Sequence, residues 1–153
     1  MGAKVIATSS SEEKLERLRQ LGADHVINYR SILEWGRAAR EFSGGGVDHV
    51  VEVGGPGTLA QSVMATRTGG HIALIGVLTG TEGAVPTATL MRKQIRLQGL
   101  TVGTRRQQIE MVRAIAANDL RPVIDRHFPL DGLADAFRYQ ESGAHFGKIV
   151  IEI

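Results

Sequence analysis

The sequence contains no cysteine, which excludes disulfides, thiolate nucleophiles and cysteine-ligated zinc from this chain. Aromatic residues amount to only 5%. The densest basic spots, Arg92 and Lys93 with Arg96 and then Arg105 with Arg106, have no aromatic neighbours, a pattern that speaks against nucleic-acid binding. No apolar run approaches the roughly 20 residues needed to cross a bilayer, so no membrane association is expected. The opening MGAKVIATSSSEEK has too short an apolar segment for a signal peptide, and it carries glutamates where a transit peptide avoids them. A cytoplasmic location is the default expectation. The five histidines (His25, His49, His71, His127, His145) are never within five positions of one another, so no helical pair exists to grip a metal. No Ser-His-Asp order, paired carboxylate or nucleophile elbow offers a hydrolytic site.

What is present is a chain of 153 residues, 42% hydrophobic and 22% charged, with a formal net charge of +2 spread over its length. That is the size and composition of one soluble globular domain. Apolar and alternating runs of strand length occur at 4–8, 25–28, 47–53, 71–75, 95–102 and 148–153. Between them lie helical patterns at 11–21, 32–42, 58–67, 105–117 and 132–142, with a shorter one at 86–93. The first is capped by serine, has glutamates in its first turn, carries Leu15, Leu18 and Leu21 on one stripe and stops at Gly22. Ile109, Val112 and Ala116, then Leu133, Ala136 and Phe137, repeat at helical spacing. Strands alternating with helices predict an α/β, doubly wound, mostly parallel sheet, in which ligands sit beyond the carboxyl ends of the strands. The rhythm is broken near Pro122, in PVIDRHFPLDGL, the one candidate boundary.

Two loops invite a nucleotide reading. The stretch Gly55-Pro56-Gly57-Thr58-Leu59-Ala60 is a literal G-x-G-x-x-A after a strand and before a helix. The dinucleotide fingerprint also asks for an acidic or phosphate-binding residue about 20 positions on. Ile75-Gly76-Val77-Leu78 supplies neither, which favours a glycine turn that merely starts a helix. The other loop, TSSSEEK, follows a strand that ends without Asp or Glu. An acid there would bond the free ribose 2′-hydroxyl of NAD, whereas Ser9, Ser10, Ser11 and Lys14 suit a 2′-phosphate. An ordinary serine cap with a solvated lysine fits the same residues.

The segments GAKVIATSSSEEKLERLRQLGADHVINYR, GVDHVVEVGGPGTL, GGHIALIGVLTG, LTVGTRRQ, LRPVIDRHFPL and SGAHFGKIVIEI, in this order and spacing, closely resemble the cofactor-binding domain of the medium-chain dehydrogenase/reductase superfamily. This is the group of zinc-type alcohol dehydrogenases and quinone oxidoreductases. The resemblance covers essentially the whole chain. It implies a Rossmann-like fold lacking its first strand and glycine-rich loop, because the strand in GAKVIAT corresponds to the family's second. The chain is thus expected to be the C-terminal part of a longer enzyme whose other part holds the substrate domain, with its zinc ligands or carbonyl-positioning residues. Residues 1–121 would be a partial dinucleotide-binding domain, and 122–153 a segment returning to the substrate domain.

The resemblance further implies NADP, with NAD less favoured, and no zinc site in this chain. Ser10, Lys14 and Tyr29 match positions holding the adenosine 2′-phosphate in NADPH-dependent quinone oxidoreductases. Gly54, Gly76 and Val77 match loop positions facing the ribose and nicotinamide. Thr101 matches a place on the sixth strand where backbone groups bond the carboxamide, or is a plain β-branched strand residue. Lys148 matches a basic position reaching the pyrophosphate, or is an exposed strand-end lysine. No catalytic residue is assigned, and the isolated chain is expected to be inactive. Its partners would be the nicotinamide dinucleotide, a small carbonyl, quinone, enone or alcohol in the parent enzyme, and a second copy of itself. The homodimer or larger homo-oligomer would pair strand 95–102, with the gap left by the first strand closed by its flanking strands or by another chain. The alternative is a non-catalytic nucleotide-sensing or scaffold module.

Overall fold

The computed structural model describes residues 2–153, which form two compact units, the first ending at Thr101 and the second spanning Val102–Ile153. The first contains β1 (Ile6–Ser9), α1 (Glu12–Gln20), β2 (His25–Asn28), α2 (Trp35–Phe42), β3 (Val47–Glu52), α3 (Pro56–Ala65), β4 (Thr66–Leu74), α4 (Thr87–Lys93) and β5 (Arg96–Gly99). The second contains α5 (Arg105–Ala117), β6 (Ile124–Pro129), α6 (Leu133–Glu141) and β7 (Lys148–Glu152). Every strand pair among the described residues is parallel, as helical crossovers require. The ladders form three sheets, β1-β2, β3-β4-β5 and β6-β7. β1 bonds only β2, and β3 bonds only β4. The expected closure of the gap by direct pairing of β1 with β3 is therefore not what the chain does. No helix of the described residues is long and apolar enough to cross a membrane.

The sequence signals of α1 act as expected. Ser11 is extended at the cap and accepts the Lys14 N–H at 3.3 Å, Glu12 and Glu13 face the positive end of the helix, and Arg17 and Arg19 the negative end. Leu15 is buried, but Leu21 caps the helix and is exposed. Helix α2 begins at Trp35 rather than at residue 32, because Asn28 to Ile32 is a turn closed by the Ile32 N–H on the Asn28 carbonyl at 2.9 Å. The next turn of helix meets α3 at Gly36. Its N–H, one of the donors that α2 cannot satisfy itself, donates to Gln61 Oε1 at 2.8 Å. A Cβ on Gly36 would lie 2.1 Å from the Gln61 carbonyl oxygen, so the close crossing of the two helices requires glycine.

Helix α3 occupies Pro56–Ala65, shifted from the expected 58–67, and β4 starts at Thr66 rather than at 71. The reason is a bulge: Val47 pairs with Thr66 and His49 with His71, so three extra residues, including Gly69 at φ +72°, are absorbed within β4. TRTGG, whose first two residues fit the end of a helical pattern in the sequence, acts as a bulged strand in the fold. β5 is likewise shorter than 95–102. Segment 122–128, where the strand–helix rhythm falters, contributes β6, whose Asp125, Arg126 and His127 are exposed or half-buried at the surface of a two-stranded sheet. Tyr139 of α6 donates to Asp125 Oδ2 at 2.6 Å, and the Arg126 guanidinium lies 4.2 Å from the Tyr139 ring centroid.

Two apolar clusters hold the first unit. Ile27, Ala39 and Ala65 form one, against Ile6, Trp35, Ala38 and Val47. Leu59, Val63 and Ile72 form the other, against Val50, Leu90, Ile95 and Leu97. Helix α3 contributes to both. At its carboxyl end, Lys93 Nζ donates to the carbonyls of Val63, Met64 and Thr66, each at 2.8 Å, and Arg40 adds a bond to Thr66 O at 3.2 Å. Burial, then the nearby Arg40 and Arg92, holds the Lys93 ammonium below the ordinary lysine range.

Helix propensity alone would make Gly36→Ala stabilising by about 1 kcal/mol. The contact with Gln61 reverses the sign: Gly36→Ala is expected to destabilise by about 1–3 kcal/mol in urea unfolding, and a gain in stability would contradict the close crossing.

Candidate functional site

Of the residues singled out in the sequence, Ser10, Lys14 and Tyr29 form one group and Gly54, Gly76 and Val77 another, at the carboxyl ends of two sheets. In the first sheet Ser9 pairs with Asn28, and the Tyr29 N–H extends the ladder to the Ser9 carbonyl at 3.1 Å. Ser10, Lys14 and Tyr29 are thereby gathered at one end of β1 and β2. Two of the three serines already serve the backbone: Ser9 Oγ accepts the Ser11 N–H and Ser11 Oγ the Lys14 N–H, both at 3.3 Å. Ser10 lies between them, half-buried, with Lys14 half-buried and Tyr29 exposed. Hydroxyls and an ammonium at a helix start are the donor types an anion takes. Sequence reading missed two members of this end. Glu12 accepts a hydrogen bond from Asn28 Nδ2, and Asn28 Oδ1 accepts the Arg30 N–H at 3.0 Å.

The second group surrounds a carboxylate that lies in the middle of an apolar run, 3% exposed at the end of β3. Glu52 Oε1 accepts the N–H groups of Gly54 and Gly55 at 2.8 and 3.0 Å and the Thr58 hydroxyl at 2.6 Å, while Oε2 accepts the Ser62 hydroxyl. Its main-chain carbonyl accepts from Ile75 at 2.9 Å and Gly76 at 3.2 Å, which joins the loops after β3 and β4. Thr79 completes the junction: its hydroxyl donates to the Gly54 carbonyl at 2.7 Å and accepts the Gly57 N–H at 2.8 Å. The contact is so close that a Cβ on Gly76 would lie 2.0 Å from Val53 O, and one on Gly54 would lie 2.3 Å from Thr58 Oγ1. Gly54 and Gly76 are glycine for steric reasons, and Val77 stands exposed beside them.

The G-x-G-x-x-A turn has no vacancy for a phosphate. Pro56 has no N–H, Gly57 donates to Thr79, and Thr58 and Leu59 donate to the Gly55 carbonyl at 3.1 and 2.9 Å. The positive end of α3 already faces the Glu52 carboxylate. Thr101 does not lie on a strand. β5 ends at Gly99, and Thr101 follows it in an exposed loop. Lys148 opens β7 in the second unit, exposed, with its N–H on Val123 O at 2.8 Å.

Residues 1–117 match the zinc-binding dehydrogenase family. The chain belongs to that family. It is 41% identical to the "Zinc-type alcohol dehydrogenase-like protein C1773.06c" of Schizosaccharomyces pombe, over 99% of this chain and 45% of that protein. A solved structure from Sinorhizobium meliloti 1021 superposes with a TM-score of 0.91 at 41% identity, over 99% of this chain and 44% of the other. An NAD-dependent alcohol dehydrogenase structure gives 0.88 at 35%, over 99% and 44%. The crotonyl-CoA carboxylase/reductase AntE in complex with NADP gives 0.84 at 25%, over 97% and 43%. The chain thus spans about half the length of the curated relatives it matches.

Membership bears out both the resemblance to the medium-chain dehydrogenase/reductases and the α/β Rossmann-like class. The zinc in the family's name finds no donor set in this family member: no group of three or more His, Asp and Glu side chains among the described residues is placed to hold a metal ion. The side chains that shape the loops after β3 and β4 are Glu52 and Thr79. The partners of Thr79 lie 22 and 25 positions away, whereas Glu52 takes its donors from the turn and helix that follow it.

Glu52→Ala strands several buried donors at once and is expected to cost at least about 3 kcal/mol in urea unfolding. Glu52→Gln, which keeps one acceptor oxygen, should cost less. A loss below about 1 kcal/mol for the alanine variant would contradict the shared-acceptor account.

Proposed function

We propose that this chain holds the adenosine end of NADP in an oxidoreductase of the alcohol dehydrogenase and quinone oxidoreductase type. In its full-length form the enzyme transfers hydride between the nicotinamide and a carbonyl, quinone, enone or alcohol. The observation that carries the reading is the gathering of Ser10, Lys14 and Tyr29 at the shared carboxyl end of β1 and β2, where β1 itself ends without an acid. A 2′-phosphate is close to a dianion at neutral pH and takes hydroxyl and ammonium donors in charge-assisted bonds. Hydride chemistry is supplied by the cofactor when bound, and the protein's part is to bind and orient it.

On this reading Ser10, Lys14 and Tyr29 hold the 2′-phosphate, while Gly54, Gly76 and Val77 offer a close backbone wall to the ribose and nicotinamide. Thr101 and Lys148 would serve the carboxamide and the pyrophosphate. The division into 1–121 and 122–153 and dimerisation through the free edge of β5 belong to the same proposal. NAD is the second reading, favoured by the solved NAD-dependent alcohol dehydrogenase at 35% identity.

Calorimetry of NADPH and NADH on the chain separates the two. NADPH should bind more tightly, and Lys14→Ala should weaken NADPH about tenfold, the loss of one charge-assisted bond of about 1.4 kcal/mol, while leaving NADH unchanged. Equal affinities, or an unaffected Lys14→Ala variant, would overturn the assignment to NADP.

A further inference from the structure

The same end of the first sheet holds a carboxylate that the 2′-phosphate reading has to contend with. Glu12 is the first residue of α1, two positions after Ser10 and two before Lys14, and Asn28 ends β2 one position before Tyr29. The Glu12 carboxylate accepts from Asn28 Nδ2. The orientation of the amide follows from its other end. The Arg30 N–H can only donate, and it lies 3.0 Å from Asn28 Oδ1, so the NH2 group faces Glu12. Because Asn28 ends β2 in register with Ser9, the tether draws this acid against the end of β2.

A carboxylate at that end is the group that accepts from a ribose 2′-hydroxyl, and it repels a 2′-phosphate. The site therefore holds donors suited to one nucleotide and an acid suited to the other. Which of them acts depends on where the Glu12 carboxylate is held. We propose that Asn28 is a specificity-setting positioning residue: by fixing Glu12 against the end of β2, it leaves Ser10, Lys14 and Tyr29 to bind a 2′-phosphorylated adenosine. Without the tether, Glu12 turns among its rotamers into the space the phosphate occupies and opposes it. The inference rests on the NADP reading above and adds a residue that neither strand-end composition nor the glycine loops point to.

The test is calorimetry on the chain with two probes, adenosine 2′,5′-bisphosphate and 5′-AMP, and three variants. Asn28→Ser keeps an oxygen able to accept the Arg30 N–H but cannot reach Glu12, Glu12→Gln removes the charge, and the third carries both changes. Asn28→Ser should weaken the bisphosphate about fivefold, the effect of one carboxylate on a dianion several ångströms away in water. It should leave 5′-AMP within about twofold, and the double variant should match Glu12→Gln within the same margin. A merely structural role for Asn28 would lower both probes, or would persist in the Glu12→Gln background; either result overturns the proposal, as does an Asn28→Ser variant that binds like the wild type. Should the serine variant not fold, Asn28→Thr makes the same comparison. A wild-type chain that does not prefer the bisphosphate to 5′-AMP would bring down the NADP reading, and this inference with it. A wild type that does prefer it, paired with an indifferent Asn28→Ser, sinks this inference alone.

Discussion

The buried Glu52 carboxylate is the contact on which the centre of the first unit depends. It closes the β3–α3 turn on its own N–H groups, binds α3 through Thr58 and Ser62, and takes the place of an external anion at the helix's positive end. At the other end of α3, Lys93 and Arg40 take the carbonyls. A helix held by an anion at its start and cations at its finish is fixed along its axis as well as by its apolar face. That matters because α3 supplies buried residues to both apolar clusters, Ala65 to one and Leu59 and Val63 to the other.

This arrangement divides the labour between the two strand ends. One is saturated from within, so its glycines provide close backbone approach and no anion site. Thr79 ties the loop after β4 to it by a hydroxyl that both donates and accepts. The other, at β1 and β2, presents side-chain donors at a helix start, with an acid tethered beside them. A nucleotide with one strongly charged group on its ribose would therefore be read at the serine-rich end, and its uncharged parts would pass the glycine-rich end. The most motif-like stretch of the sequence is the less suited of the two to a phosphate.

Much of this was legible in the residues. Ser11 with its glutamates, Leu15 and Gly22 marks α1 because capping, dipole and stripe all act within a few residues, and the same locality makes the strands at 25–28 and 47–53 visible. The failures share a cause, which is dependence on distant partners. Thr66 and Arg67 fit the end of a helical pattern until Val47 pairs with Thr66 and forces a bulge. Segment 124–129 is polar and bounded by prolines, and only β7 makes it a strand. Asn28 and Glu12 are sixteen positions apart. The resemblance places Thr101 on a strand, but the ladder ends at Gly99 and leaves it in a loop.

The central claim is that the anion of the nucleotide is taken at the end of β1 and β2 and not at the glycine turn after β3. Amide chemical-shift mapping of the labelled chain with adenosine 2′,5′-bisphosphate tests it directly. The account predicts shifts confined to the amides of Ser9 to Lys14 and to Tyr29, with Gly54, Gly55, Gly57 and Thr58 unmoved. Saturable shifts at those four residues, with Ser10 to Lys14 silent, would contradict it.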